Sequence, residues 1–122
     1  MSRGDEYRGT QVYTLVLAEL VTAARYRGVT TYQHIAGIMG LPSSGQHMAR
    51  QIGLVLGEIS EDEVKHGRPM LSAVAVGVSR EPGPGFYAAA KTLGRTPTDA
   101  RDKAFWERER HAVYETWKRP LH

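Results

Sequence analysis

Apolar residues recur at helical spacing three times along this chain before the period changes. Val12, Val16 and Leu20, with Leu15, Leu17 and Ala24 beside them, fall at three- and four-residue intervals. Residues 10 to 27 therefore predict an amphipathic helix, with Gly28 as its left-handed stop. Thr30 and Gln33 have the spacing of a capping box, which predicts a short helix running to Met39 and closed by Gly40. After the turn Leu41 to Gly45, a third helix begins at Gln46. It places Met48, Ile52, Val55, Leu56 and Ile59 on one face, and His47, Arg50 and Gln51 near its exposed start. Ser60 and Glu63 repeat the capping-box spacing, so one further turn of helix is expected over Glu61 to His66.

Met70 to Val78 differs in kind. Val74, Val76 and Val78 alternate with Ala73, Ala75 and Gly77, the pattern of a strand packed closely on one face. The loop Ser79 to Gly85 breaks it, and Phe86 to Leu93 reads as a short helix stopped by Gly94. Thr96, Pro97 and Asp99 supply an N-cap, a proline at the first helical position and an acid in the first turn. The last helix they predict runs through Phe105, Trp106, Ala112, Val113 and Trp117 and ends near Pro120. No segment repeats another. The order is three helices, a strand, a Gly/Pro loop and two helices, which implies an α+β, mainly helical chain. It is the skeleton of a winged helix-turn-helix with a reduced wing and extra C-terminal helices. The expected organisation is a single domain over 1–122, with a winged-helix-like core over 10–80 and a C-terminal helical extension over 84–119.

Composition narrows the function. With 122 residues, 41% of them hydrophobic and 24% charged, the chain suffices for one core and is too apolar for disorder. The absence of cysteine excludes disulfides, thiolate metal sites, a cysteine nucleophile and an alkyl-accepting thiol. No run approaches the ~18 apolar residues of a membrane span, and no apolar stretch follows the first charges, so a cytoplasmic protein with no membrane partner is expected. The 16 Lys and Arg against 13 Asp and Glu give a net charge of only +3. Their placement matters more. Residues 31 to 57 carry Arg50 and no acid, and residues 67 to 95 carry Arg68, Arg80, Lys91 and Arg95 against Glu81. A phosphate-binding surface would draw on these two stretches.

The acids gather at Glu58, Glu61, Asp62 and Glu63, followed by His66. Carboxylates with a histidine suit a divalent metal or a hydrolytic base. Acids in a first helical turn are also favoured by the macrodipole alone, and the strand supplies no partner carboxylate. No metal ligand, cofactor or catalytic residue is assigned. In the last helix Phe105, Trp106, Val113 and Trp117 lie among Arg101, Lys103, Arg108, Arg110, Lys118 and Arg119. Such a stripe stacks nucleic-acid bases, or packs the helix onto its own domain, a second copy or another protein.

Val29-Thr30-Thr31-Tyr32-Gln33-His34-Ile35-Ala36, followed by Gly40, Pro42 and Ala49-Arg50-Gln51-Ile52-Gly53, resembles the C-terminal DNA-binding domain of alkylguanine-DNA alkyltransferases and the alkyltransferase-like proteins. The resemblance implies a double-stranded DNA partner, with Tyr32 against the target phosphate and Arg50 filling the hole left by a flipped base. Backbone groups at Thr30 and Thr31, the helix start at Gln46, His47 and Gln51, and the arginines Arg68 and Arg80 complete the expected DNA-binding set. The family's Pro-Cys-His-Arg-Val strand is missing, because Met70 to Val78 contains no Cys, His or Arg. Ser72 or Ala73, depending on register, falls near the position of the absent thiol and would border any base pocket. The segment between Pro42 and Ala49 is also longer than the family's.

The resulting expectation is non-catalytic binding of duplex DNA, damaged or flipped-base DNA included, without alkyl transfer. Two alternatives stand beside it. One is a protein-interaction module dimerising through the C-terminal helix; the other is a metal-dependent hydrolase or nuclease using Glu58, Glu61, Glu63 and His66.

Overall fold

A computed structural model describes residues 6–99 and 101–119. Helix α1 spans Gln11–Arg25, strand β1 Thr30–Thr31, α2 Tyr32–Met39, α3 Gln46–Lys65, β2 Ala75–Val76, α4 Pro84–Thr92 and α5 Lys103–Trp117. A 3-10 turn, Leu71–Val74, leads into β2. The molecule is mainly helical with a small sheet, an α+β arrangement. Among the described residues no helix is long and apolar enough to cross a membrane.

The apolar spacing places the first three helices. Val16, Leu20 and Ala24 are the buried residues of α1, and Met48, Ile52, Val55, Leu56 and Ile59 are buried on α3. The side chain of Thr10 caps α1 by accepting the Tyr13 N–H at 3.3 Å. At its far end Gly28 is not the left-handed residue. The Gly28 N–H returns to the Ala23 carbonyl at 2.8 Å, and the Arg27 N–H to that of Ala24 at 3.1 Å. That closure needs the left-handed residue one position earlier, so Arg27 adopts φ 55°. Gly40, at φ 73°, closes α2 in the same way, as the sequence predicts.

Helix α4 forms at the expected Phe86 to Leu93, with Gly94 at φ 83° after it, but other elements depart from the sequence expectations. The cap of α2 is Thr31, which accepts the His34 N–H at 3.0 Å, because Thr30 is drawn into β1. Helix α3 runs unbroken through Ser60, which is fully buried and caps nothing, so the acid-rich turn is the end of α3. Met70 to Val78 is not one strand. Met70 through Val76 is buried on all sides, so its alternation of sizes reflects packing all round, and two residues alone extend as β2. These pair in parallel with β1, Thr30 against Ala75 and Thr31 against Val76. After β2 the chain turns at Gly77–Glu81, closed by Gly77 N–H to the Glu81 carbonyl and Arg80 N–H to the Gly77 carbonyl, both at 3.0 Å. The last helix starts at Lys103. Asp102 is its cap and accepts from Phe105 N at 3.0 Å and Thr98 N at 2.8 Å, while Pro97 is buried in the loop before it. Pro120 lies outside the described residues.

The core gathers where α1, α3 and α5 meet the 3-10 turn. Leu20, Ile35, Val55, Ile59, Met70, Leu71, Val74 and Val113 are fully buried there. Trp106 of α5 donates its indole N–H to the Ala73 carbonyl at 2.8 Å, fastening the last helix to that turn.

Candidate functional site

A cavity of about 550 Å³ opens between α3, α4 and the start of α2. That volume lies within the ~300–1,000 Å³ of small-molecule and cofactor sites. Two rows of α3 side chains at four-residue spacing form one wall, Ala49, Gly53 and Gly57 in one row and Met48, Ile52 and Leu56 in the other. Phe86 and Ala89 of α4 face them, and Ser72 lines the buried end. A Cβ added at Gly53 or Gly57 would meet nothing within 4 Å, so these glycines border empty space.

Three helices begin at this cavity. Tyr32 and Gln33 are the first residues of α2; Ser44 and Gly45 precede α3; Gly83, Pro84 and Gly85 open α4; all of them line it. None of the three helices has an acid in its first turn, and neither α3 nor α4 has a side-chain cap. Each helix start carries about half a positive charge through its unpaired N–H groups. A neutral interior thus lies behind a rim that favours anions.

Tyr32 is the post for one side of the rim. Its ring packs beneath Gly77 and Gly83, and its hydroxyl accepts the Gly83 N–H at 2.9 Å. Burial raises the phenol above its ordinary pKa of 10.0, and the Gly83 hydrogen bond offsets only part of that. At the buried end Ser72 is 6% exposed and Ser60 is 0% exposed. The Ser60 hydroxyl donates to Ser72 Oγ at 2.8 Å, and Ser72 N–H donates to Ser60 Oγ at 3.3 Å. Ala73 points elsewhere and is fully buried, so of the two residues the sequence offers for this place, Ser72 borders the cavity.

The sequence-derived DNA-binding residues separate into two groups. Gln46, His47 and Arg50 are exposed along the start of α3, and Arg50 has no ion pair among the described residues. Arg50 lies beside the cavity, three residues before Gly53, without lining it. Arg80 is exposed on the turn after β2, in a left-handed conformation at φ 68°. The others are engaged inside the fold. Arg68 grips both oxygens of Glu63, at 3.0 and 2.7 Å, and stacks over Trp117. Gln51 accepts the Tyr7 hydroxyl, Thr30 is buried, and Thr31 is spent on His34.

The acid cluster is also internally occupied. Glu58 is 5% exposed and accepts the N–H groups of Glu6, Tyr7 and Arg8 at 2.8, 3.1 and 2.9 Å. Arg8 bridges Glu61 and Asp62, Tyr13 donates to Asp62, and Glu63 holds Arg68. Burial works to raise the Asp62 carboxyl, yet the hydrogen bonds from Tyr13 and Arg8 outweigh it and hold the group below its ordinary value. Among the described residues no group of His, Asp and Glu is placed to hold a metal ion. On α5 the aromatic residues turn inward: Phe105 and Trp106 are buried and Trp117 is half-buried. The exposed positions of α5 include Lys103, Glu107, Arg108, His111 and Glu115, a polar face.

Several residues of the site escape sequence reasoning. Ser44 carries no signal of its own, Gln33 reads only as the far member of a capping box, and Gly83-Pro84-Gly85 reads only as a turn. Gly53 and Gly57, two glycines four apart inside a helix, are the signal that was available. No family model, curated protein or solved structure matches the chain.

Proposed function

We propose that the protein binds duplex DNA without chemistry and receives an extrahelical base in the cavity. In this reading α2 and α3 act as a helix-turn-helix pair, the Gly77–Glu81 turn is a reduced wing, and the role is a cytoplasmic one on damaged DNA. One observation carries it: three helix starts with no acid in their first turns converge on the rim of a neutral cavity of about 550 Å³. A nucleotide has the matching construction, an anionic phosphate beside an uncharged planar base. Arg50 on the neighbouring surface of α3 occupies the space the base vacates, and Arg80 contacts the backbone. The aromatic C-terminal helix is needed for the fold and leaves a polar exterior, so no observation favours dimerisation through it.

The test is a titration of duplexes with and without a single O6-methylguanine. Arg50→Ala should weaken both at least several-fold. With Arg68 engaged by Glu63, two or three phosphate charges remain to be neutralised, so affinity should fall as about the second or third power of salt concentration. Unchanged affinity in the variant, with no dependence on salt, would overturn the proposal.

A further inference from the structure

The two serines at the buried end of the cavity determine what it offers a ligand. Ser60 is shut inside the core, and Ser72 Oγ is the one acceptor its hydroxyl has among the described residues. If Ser72 donated to Ser60 instead, the Ser60 proton would be buried with no partner, which costs more than a neutral hydrogen bond returns. The Ser72 N–H bond to Ser60 Oγ at 3.3 Å supports the same direction, because it occupies Ser60 as an acceptor and turns its proton outward. The Ser72 proton is then not spent within the protein. Its remaining direction is the cavity that Ser72 lines.

The rest of the interior limits the ligand further. Ile52, Leu56 and Phe86 supply apolar surface, and no side chain lining the cavity carries a charge. A charged ligand would lose its hydration there with nothing to compensate. We propose that Ser72, aimed by Ser60, is the donor that selects the cavity's ligand, an uncharged ring or chain presenting a hydrogen-bond acceptor, such as an ether oxygen, carbonyl or ring nitrogen, at its buried end. This inference rests on the cavity being the ligand site of the DNA-binding reading, but not on the ligand belonging to a DNA strand.

Because the chain has no cysteine, Ser72→Cys creates a single thiol that reports on the buried end. A small methanethiosulfonate reagent should modify it and leave Ser60→Cys untouched. O6-methylguanine should protect it, either as a lesion in a duplex or as the free base. Protection by the duplex supports both readings. Protection by the free base alone sinks the DNA reading and keeps the ligand assignment.

In titrations with whichever probe protects, Ser72→Ala should weaken binding about 5- to 10-fold and Ser60→Ala about 2- to 5-fold. The loss on Ser72→Ala should exceed any change in affinity for undamaged duplex, so the ratio of lesion to plain affinity falls. A merely structural serine pair would lower thermal stability without changing the ratio of lesion to plain affinity. The proposal is overturned if the thiol cannot be modified, if neither form of O6-methylguanine protects it, or if Ser72→Ala leaves probe affinity unchanged.

Discussion

Replacing Gly53 and Gly57 by alanine should make the protein more stable. Both glycines lie inside α3, where glycine costs roughly 0.5–1 kcal/mol relative to alanine through the backbone freedom it loses on folding. Neither position imposes a counter-cost, since an added Cβ has no neighbour within 4 Å at either one. The two lie one helical turn apart on the same face, and with no neighbour within 4 Å of either Cβ the pair should contribute about 1–2 kcal/mol. For a domain of this size that raises the melting temperature by roughly 3–10 °C. A denaturant titration should show a higher midpoint at unchanged slope. Leucine at either place should also fold, but would fill the cavity. Binding to an O6-methylguanine duplex would then fall to the level of plain duplex, while plain-duplex affinity, set on the rim and on Arg50, persists. A loss of stability in Gly57→Ala would refute the reasoning, because the glycine would then serve packing that the open space at its Cβ denies.

Tyr32→Phe removes the acceptor of the half-buried Gly83 N–H and should cost about 1–3 kcal/mol in chemical denaturation. If phenylalanine proves neutral, the rim loop does not depend on that post. Stability should also fall at both pH extremes. Asp62 is held below its unfolded value of 3.8, so its contribution is complete above that pH and drains away as pH falls through it. Tyr13 and Tyr32 are raised above 10.0, mainly by burial, so their contributions are complete below that pH and fail as it rises further. Thermal melts at pH 3, 7 and 11 should peak at the middle value, and Asp62→Asn should flatten the acid limb.

The first three helices were legible because each has one dry face and one wet face, and a period records that contrast. Met70 to Val76 has no such contrast. A segment dry on every side has no faces to alternate, so the valines and alanines mark neighbouring volumes, and a 3-10 turn with two strand residues satisfies them. Ser60 has the spacing of a cap, but spacing does not reveal that the buried stripe of α3 continues past it to Glu63. The pairing of Arg68 is hidden for a related reason: its partner Glu63 is only five residues earlier, and two opposite charges across a helix end read equally well as a basic surface and an acidic one. The cavity itself has no sequence signal except the paired glycines, since empty space is the joint product of three helix starts that no single segment specifies. The start of α3 was the legible part of the site, because exposure of Gln46, His47 and Arg50 follows from the helix period alone.

Helix α3 has 20 residues and is about 30 Å long. Its two halves are held differently. Glu58, Glu61, Asp62 and Glu63 tie the rear half to Arg8, Tyr13, Arg68 and the backbone of residues 6–8, and the foremost polar tie is the one from Tyr7 to Gln51. Forward of Gln51 the one buried residue is Met48, and the helix start has no side-chain cap. In mechanical terms α3 is a cantilever, clamped by charge at its rear, with Arg50 on the overhang beyond its foremost polar tie. Arg50 thus rides on the stretch of α3 with the fewest polar ties, while the acidic anchor lies behind it.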